Sequence, residues 1–157
     1  MWRSLRVDLK ARKASWQEVP PEEVAFGGRY RTGQALWERE AYRVDPLSPE
    51  NPLVFAVGPL AGTGFSNANR TSVGTRSPLT LATKEANGGG TFGYALGQLR
   101  LAHLVLEGES PEWVVLRLTR SGEVHFDPAQ DLLGLGNFEA ARRLFAAYGQ
   151  RIAFALL

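Results

Sequence analysis

The first residues of the chain alternate between apolar and charged side chains. Leu5, Val7 and Leu9 occupy the apolar positions, and Trp16 and Val19 follow after a short basic segment. Alternation with a period of two is typical of strands, and a break of this length between two such segments is typical of a hairpin. The pattern therefore predicts a pair of strands at the start of the chain.

A helical segment and a buried strand are predicted next. The segment Pro20-Pro21-Glu22-Glu23 suits a helix N-terminus, because proline and carboxylates are favoured in the first turn. Gly27-Gly28 interrupts this helix, and helical spacing resumes from Tyr30 to Tyr42. The continuous apolar run Leu53–Val57 is typical of a strand that is buried on both faces.

The second half of the chain shows the same kinds of pattern. Apolar periodicity, flanking glycines and turn residues predict a helix, a buried strand, a hairpin, a second helix and a closing strand. In order, these are Phe92–Leu101, His103–Leu106, the hairpin of Trp113–Leu118 with Glu123–Phe126, Phe138–Tyr148 and Ile152–Leu157.

The two ends of the chain follow the same order of hairpin, helix and buried strand. The first copy runs from about Leu5 to Val57 and the second from about Trp113 to Leu157. This correspondence indicates an internal structural duplication without a visible sequence repeat. The mixture of hairpins and helices predicts an α+β fold.

The central stretch from Asn69 to Gly93 is polar and rich in glycine, so we expect it to lie outside the core. Arg70 and Arg76 flank a segment with alternating apolar residues, and Gly88-Gly89-Gly90 leads into the predicted helix. Glycines let a backbone approach a ligand closely, and the free N–H groups at a helix start favour anions. The sequence therefore predicts a ligand site here.

Composition narrows the function classes. The chain has 157 residues, 44% hydrophobic and 22% charged, which is ordinary for one globular domain. It has no cysteine, which excludes disulfides, a cysteine nucleophile and an iron–sulfur cluster held by its own thiolates. A formal charge of +2 does not suggest nucleic-acid binding. No apolar run has the length of a signal peptide core or a membrane span, so we expect a cytoplasmic protein without a membrane partner.

Four motifs together carry a resemblance to a known family. They are segments 44–51 and 58–63, the segment flanked by Arg70 and Arg76, and the glycine run before the predicted helix. Their order and spacing resemble those of the N-terminal domain of the tungsten-containing aldehyde ferredoxin oxidoreductases. The resemblance implies one domain over residues 1–157, built as two similar intertwined hairpin–helix–strand units whose sheets act as a saddle for the cofactor. It also implies that the chain lacks the family's final cofactor loop and the later domains with the cluster cysteines.

The resemblance implies a set of cofactor-binding residues. In the family, a tungsten or molybdenum atom is held by two pterins whose phosphates share a magnesium ion. Asn87 falls at the magnesium-contacting asparagine, Arg70 at the arginine between cofactor and cluster, and Gly89, Gly90 and Gly93 in the Gly-Gly-x-Phe-Gly run. An amide oxygen suits magnesium, and a guanidinium suits phosphate or pterin acceptors. The alternatives are a helix cap for Asn87, a solvated surface residue for Arg70 and close helix–sheet packing for the glycines.

Three departures from the family pattern count against intact cofactor binding. Ala68-Asn69 stand where the family has glycines, Leu81 replaces a glycine, and Arg100-Leu101-Ala102 replace a Gly-Tyr-Asp segment. Side chains at such positions block close approach of the backbone to a ligand.

Other types of site are less well supported. Gly88-x-Gly90-x-x-Gly93 has the spacing of a dinucleotide fingerprint, but residues 83–86 do not read as the buried strand that must precede it. His103 and His125 have no acidic or cysteine neighbour at metal-ligand spacing.

The resemblance implies a tungstopterin- or molybdopterin-cradling domain or subunit that is not catalytic alone. The whole assembly would oxidise an aldehyde to a carboxylic acid and pass electrons to ferredoxin. Its partner would be a cysteine-bearing subunit, or the chain would form a homo-oligomer. The alternative is a degenerate, non-catalytic interaction or dimerisation module, which a terminal apolar strand open to pairing would favour.

Overall fold

A computed structural model describes residues 1–156 and divides the chain into two compact units, Met1–Ser110 and Pro111–Leu157. The α+β class expected from the sequence is confirmed, since both units combine antiparallel strands with helices. No helix within residues 1–156 is long and apolar enough to cross a bilayer. The description of residues 1–157 as a single domain stays a prediction.

The first unit is built around a six-stranded sheet. Its strands are β1 (Arg3–Asp8), β2 (Lys13–Glu18), β3 (Leu53–Val57), β4 (Thr71–Arg76), β5 (Thr83–Gly88) and β6 (Leu101–Glu107). Their order across the sheet is β2-β1-β6-β3-β4-β5. β1 and β6 pair in parallel and the other neighbours are antiparallel. The strands β2 and β5 therefore form the two edges.

Two helices cover opposite faces of this sheet. Helix α1 (Arg29–Glu38) contributes Leu36 to a buried cluster with Val54. Phe92 is the second residue of helix α2 (Thr91–Gln98), and its ring packs edge-on against Phe55 with the ring centroids 5.9 Å apart. Neighbouring residues of a strand point to opposite faces, so the two helices lie on opposite sides of β3.

The core of the first unit follows the alternation seen in the sequence. Leu5, Val7, Val54 and Leu101 are fully buried in the sheet. Burying an aliphatic side chain of this kind contributes about 1.5–3 kcal/mol. The apolar strands at the centre of the sheet therefore hold the unit together, and its edges are polar.

The second unit consists of a hairpin and a helix. Strands β7 (Val114–Leu118) and β8 (Val124–Pro128) pair antiparallel, and helix α3 (Asn137–Tyr148) follows. The Asp127 carboxylate accepts hydrogen bonds from Arg117 Nε at 2.6 Å and from the Tyr148 hydroxyl at 2.9 Å. This carboxylate ties the helix to the hairpin.

The strand pair at the N-terminus, the strand at Leu53–Val57, the hairpin and the last helix were predicted correctly. Helices α1 and α2 are shorter than expected, because each is followed by a residue in the left-handed region. Glu40 has φ 50° and ends the helical path before a short 3-10 turn at Ala41–Arg43, and Arg100 has φ 54° directly before β6. Leu101, expected at a helix end, is instead a fully buried strand residue.

The predicted closing strand is wrong for the described part of Ile152–Leu157. Residues 152–156 have no regular secondary structure, and Leu157 lies outside the described residues. Gly149 ends α3 with φ 86°, and the Phe154 ring then packs edge-on against Phe145 at 5.4 Å. The apolar run packs on the helix through its side chains, so in the described residues the second copy has a hairpin and a helix only.

Candidate functional site

Three of the five predicted ligand residues, Arg70, Gly89 and Gly90, line a depression of about 410 Å³ in the first unit, whereas Asn87 and Gly93 are not among its lining residues. It lies where α2 begins beside the start of β4. The lining residues are polar or lack a side chain, apart from one tyrosine. They are Asn67, Asn69, Arg70, Gly89, Gly90, Thr91 and Tyr94.

The pairing of β4 with β5 explains why these residues meet. Thr71 at the start of β4 is paired with Gly88 at the end of β5, and Ser72 is paired with Asn87. Arg70 directly precedes β4, and the glycines directly follow β5. Residues separated by nearly twenty positions in the chain are therefore neighbours at one edge of the sheet.

Gly89 and Gly90 present bare backbone to the depression. A Cβ atom built on either residue would meet no other atom within 4 Å. Gly90 has φ 133°, a conformation that favours glycine, and it is the N-cap of α2 without a side-chain cap. The first N–H groups of α2 and the positive end of its dipole are thus free to meet an anion.

Gly93 is buried and has a different role from the other two glycines. A Cβ at this position would lie 2.4 Å from the Asn69 carbonyl oxygen and 2.8 Å from Thr71 Oγ1. Gly93 therefore has the role in close helix–sheet packing that was given above as the alternative to ligand contact. It lets the first turn of α2 approach the segment that carries Arg70. A ligand contact by Gly93, Gly89 or Gly90 stays a prediction.

Arg70 and Asn87 are joined in the structure. Arg70 Nε donates to Asn87 Oδ1, and Arg70 Nη2 donates to the Asn87 carbonyl oxygen at 3.2 Å. Asn87 lies in β5, so the helix-cap alternative is wrong. Arg70 is exposed but is held by Asn87.

Glu85 places a negative charge beside this pair. Its Oε1 accepts a hydrogen bond from Ser72 at 2.7 Å and another from Asn87 Nδ2 at 3.4 Å. The hydrogen bond from Ser72 lowers the pKa of Glu85, and the Asn87 amide and Arg29 act in the same direction. The carboxylate is therefore ionised at neutral pH and balances part of the positive charge nearby.

The magnesium role of Asn87 stays a prediction, and the structure adds a condition to it. The Asn87 Oδ1 atom accepts the Arg70 guanidinium, which would have to turn away before a cation could bind there. Within residues 1–156 there is no group of three or more His, Asp or Glu side chains that could hold a metal ion. The residues present fit an anion better than a cation.

Part of the central stretch belongs to the core, contrary to expectation. Ser72 is fully buried. Its hydroxyl accepts a hydrogen bond from the Thr32 hydroxyl of α1 and donates one to Glu85 Oε1. Polar residues can be buried here because their hydrogen bonds are satisfied. Residues 83–86 also form a strand, but it is an exposed antiparallel edge and not the parallel interior strand of a dinucleotide site.

Two of the residues that depart from the family pattern have a backbone conformation that favours glycine. Leu81 has φ 58° and Arg100 has φ 54°, both in the left-handed region. Asn69 lines the depression, and its Oδ1 accepts the Gly62 N–H at 2.8 Å, which holds the preceding loop. Leu81 and Arg100 therefore hold this conformation at the cost of local strain.

We expect Leu81→Gly to raise the free energy of unfolding by about 0.5–1 kcal/mol. A left-handed conformation costs a side-chain-bearing residue about 1–2 kcal/mol, and the greater freedom of glycine in the unfolded chain offsets part of that gain. Leu81 is 60% exposed, so little packing is lost. Urea denaturation measures the change. Leu79→Gly is the control, since Leu79 is 91% exposed with ordinary φ, and it should lower stability.

A second cavity, of about 340 Å³, was not predicted from the sequence. It lies between α1 and the face of β1, β2 and β6 that carries Ser4 and Gln17. Arg31 is 5% exposed and its Nε has no hydrogen-bond partner, and neither has Nδ1 of His103. The alternating polar residues of β1 and β2 were the signal for this polar face.

Burial in this cavity changes the chemistry of His103. Desolvation, together with the positive charges of Arg31 and Arg39, lowers the pKa of His103 to about 4, while the negative charge of Glu23 opposes this shift. His103 is therefore neutral at physiological pH.

Comparison with known proteins identifies related sequences. The family described as "Aldehyde ferredoxin oxidoreductase, N-terminal domain" matches residues 4–157. The tungsten-containing aldehyde ferredoxin oxidoreductase of Pyrococcus furiosus is 38% identical over 120 residues, which cover 73% of this chain and 20% of that protein. The enzyme of the same name from Thermococcus kodakarensis is 34% identical over 135 residues, which cover 84% of this chain and 22% of that protein.

A solved structure has the same fold. It is described as "Active site complex BamBC of Benzoyl Coenzyme A reductase in complex with 1,5 Dienoyl-CoA", with a TM-score of 0.88 and 32% identity. The match covers 95% of this chain and 23% of the other. The chain therefore spans about a fifth of the length of the proteins it matches.

Proposed function

Because the chain belongs to the family of the aldehyde ferredoxin oxidoreductase N-terminal domain, we propose that it cradles a tungstopterin cofactor at the depression beside α2. The observation that carries the proposal is the open backbone of Gly89 and Gly90 next to the Arg70 guanidinium. Bare backbone permits close approach of a flat ligand, and a helix N-terminus with an arginine attracts phosphate.

The residues present fit the anionic part of such a cofactor. The N–H groups at the start of α2 would donate to phosphate oxygens, and Arg70 could add a second set of donors. The half-exposed Tyr94 ring forms an apolar wall of the same depression. When bound, the cofactor would supply oxidation of an aldehyde to a carboxylic acid, with the electrons passed on to ferredoxin.

This chain would contribute binding and orientation, and we assign no catalytic residue to it. It has no cysteine, so a cluster that accepts electrons would be held by a separate, cysteine-bearing chain.

The alternative function, a non-catalytic interaction module, loses the support of a terminal strand, because residues 152–156 form none. It keeps support from a different surface, the exposed aromatic side of α1. That surface is compatible with cofactor binding, because it shares no residue with the depression.

A valine at Gly89 tests the cradle directly. Gly89 has ordinary φ and open space where a Cβ would stand, so Gly89→Val should fold normally. The valine side chain would project into the space that the cofactor needs. We expect Gly89→Val purified from a host that makes the cofactor to lose most of its pterin, measured by fluorescence after oxidation. The thermal unfolding temperatures of the cofactor-free variant and the cofactor-free unmodified chain should be equal, because bound cofactor itself stabilises the folded protein.

The matched control is Gly136→Val, which also has ordinary φ and open space but lies outside the depression. It should retain pterin at the level of the unmodified chain. Equal pterin in the Gly89→Val and Gly136→Val proteins would contradict the proposed position of the cofactor.

A further inference from the structure

The cavity of about 340 Å³ beside α1 is lined mainly by polar side chains from three strands and from the helix. Ser4 of β1 is paired with Gln17 of β2 and with His103 of β6, so these three side chains lie on one face of the sheet. Arg31 and Gln34 of α1 line the same cavity, and residues three positions apart share one side of a helix. A polar face of the sheet and a polar side of α1 therefore meet around one space.

Two buried nitrogen atoms among the lining residues have no hydrogen-bond partner within residues 1–156. They are Arg31 Nε and His103 Nδ1. The other two nitrogens of the Arg31 guanidinium are used by Glu23, whose carboxylate accepts from Nη1 at 2.8 Å and whose carbonyl oxygen accepts from Nη2 at 2.7 Å. A buried donor without a partner destabilises the protein, so a molecule that brings an acceptor to Arg31 is favoured in this cavity.

The charges of the lining residues balance, which argues against an ionic ligand. The lining contains equal numbers of arginine and glutamate residues, which are Arg6, Arg31 and Arg39, and Glu18, Glu23 and Glu38. Arg31 is ion-paired with Glu23. Arg6 and Arg39 share the carboxylate of Glu107. An anion would therefore meet no unpaired positive charge, and a cation would lie against the buried Arg31.

Hydrogen-bonding groups of both kinds remain open to a neutral ligand. Within residues 1–156, the Glu18 carboxylate has no hydrogen bond or ion pair, and the Glu38 carboxylate accepts a single hydrogen bond, from Gln34 at 2.9 Å. Arginine can only donate, and a carboxylate can only accept. The ligand must therefore accept at Arg31 and donate to the glutamates. A hydroxyl group does both, which favours a molecule with several hydroxyl groups.

We propose that this cavity binds a small neutral molecule with several hydroxyl groups, of the size of a monosaccharide or a cyclic polyol. One hydroxyl accepts from Arg31, and others donate to the glutamate carboxylates of the lining. The volume of about 340 Å³ lies at the lower end of the range for small-molecule sites, about 300–1,000 Å³. The cavity shares no lining residue with the depression beside α2, so this site goes beyond cofactor binding and does not depend on it.

The two histidines of the chain report on binding at different places. His103 lines the cavity, and His125 lies in the second unit. NMR spectra of the imidazole groups of the isotope-labelled full chain are recorded while glucose or inositol is added. We expect a saturable shift of the His103 signals, while the His125 signals stay unchanged.

Charged analogues of glucose test whether the ligand is neutral. Glucuronate carries a negative charge, and glucosamine carries a positive charge below pH 7. Both should bind at least about tenfold more weakly than glucose, because either charge would lose water without gaining a partner.

Arg31→Lys isolates the buried donor. Lysine keeps a positive charge beside Glu23 but has a methylene group where Nε stands. The variant should bind the neutral probes at least about tenfold more weakly, as expected when a hydrogen bond from a charged donor is lost.

Gln17→Ala is a second variant that leaves the buried residues intact. Gln17 is exposed, and its side chain has no partner within residues 1–156, so the variant should fold normally. It should lower the affinity about two- to tenfold, through the loss of one neutral hydrogen bond. Gln150→Ala is the matched control, because Gln150 is also exposed but lies in the second unit, and it should leave the affinity unchanged.

Four results would overturn the proposal. The first is no shift of His103 with either neutral probe, which would mean that water alone fills the cavity. The second is an equal shift of His103 and His125. The third is tighter binding of a charged analogue than of glucose. The fourth is an affinity that neither Arg31→Lys nor Gln17→Ala lowers relative to Gln150→Ala.

Discussion

Gly97→Ala is expected to lower the free energy of unfolding by about 3 kcal/mol or more, although alanine is the better helix former. A Cβ at Gly97 would lie 2.1 Å from the Ala61 carbonyl carbon and 2.3 Å from the Gly62 nitrogen. Both are backbone atoms, which cannot rotate away as the end of a side chain can. The overlap therefore outweighs the roughly 1 kcal/mol that alanine gains in a helix.

Gly33→Ala is the control for this prediction, because Gly33 also lies inside a helix but has open space around it. It should raise stability by about 0.5–1 kcal/mol. Urea denaturation at low protein concentration, where association is negligible, measures both variants. Gly97→Ala behaving like Gly33→Ala would show that α2 does not pack on Ala61–Gly62 as the structure has it.

This contact bears on the site as well as on the fold. The missing side chain at Gly97 lets one end of α2 pack directly on the loop at Ala61–Gly62. In the same way, Gly93 lets the other end pack on the segment from Asn69 to Thr71. The two contacts fix where the first turn of α2 points. A fully folded Gly97 variant with a shifted helix would therefore be expected to lose cofactor too.

The second large effect is a loss of stability in mild acid that originates at His103. Desolvation, with Arg31 and Arg39 adding to it, lowers the pKa of His103 from 6.5 to about 4 in the folded protein. As pH falls below 6.5, the unfolded chain binds a proton at His103 while the folded chain does not. The stability that depends on neutral His103 is thus fully present above pH 6.5 and is lost as pH falls through 4, by roughly 3 kcal/mol in total.

Urea unfolding at several pH values within this window measures the loss, and His103→Gln isolates it. Glutamine does not titrate, so the variant should show a shallower dependence of unfolding free energy on pH, whatever its stability at neutral pH. Glu139, whose pKa is lowered from 4.5 to about 2 by Arg142 and Arg143, contributes a loss only from about pH 4.5 downwards, so the slope between pH 6.5 and 5 isolates His103. Equal slopes for the unmodified chain and His103→Gln would contradict the assignment.

The strands of the central sheet could be predicted because their apolar residues are continuous or alternate regularly. Leu53–Val57 and the start of the chain are clear examples, and both are buried as expected. The meeting of Arg70 with Gly89 and Gly90 followed from the resemblance, since no local pattern shows that β4 and β5 pair. The structure adds the physical reason, which is their antiparallel register.

The elements that were missed share a cause, because each depends on partners that are distant in the chain. β5 is polar on both faces, since it is an exposed edge that needs only β4 for its hydrogen bonds. The cavity around Arg31 and His103 requires the parallel pairing of β1 with β6. The run near the C-terminus includes Phe154, which packs on Phe145. Hydrophobic periodicity cannot distinguish an irregular segment that packs in this way from a strand.

Metal and pterin content of the unmodified chain, purified from the organism that encodes it, tests the central claim most directly. The measurement combines elemental analysis for tungsten, molybdenum and magnesium with pterin fluorescence after oxidation. The proposed cradle predicts near-stoichiometric tungsten with pterin. A well-folded preparation with neither metal nor pterin would contradict it and leave the chain as a binding module that has kept the fold of its family.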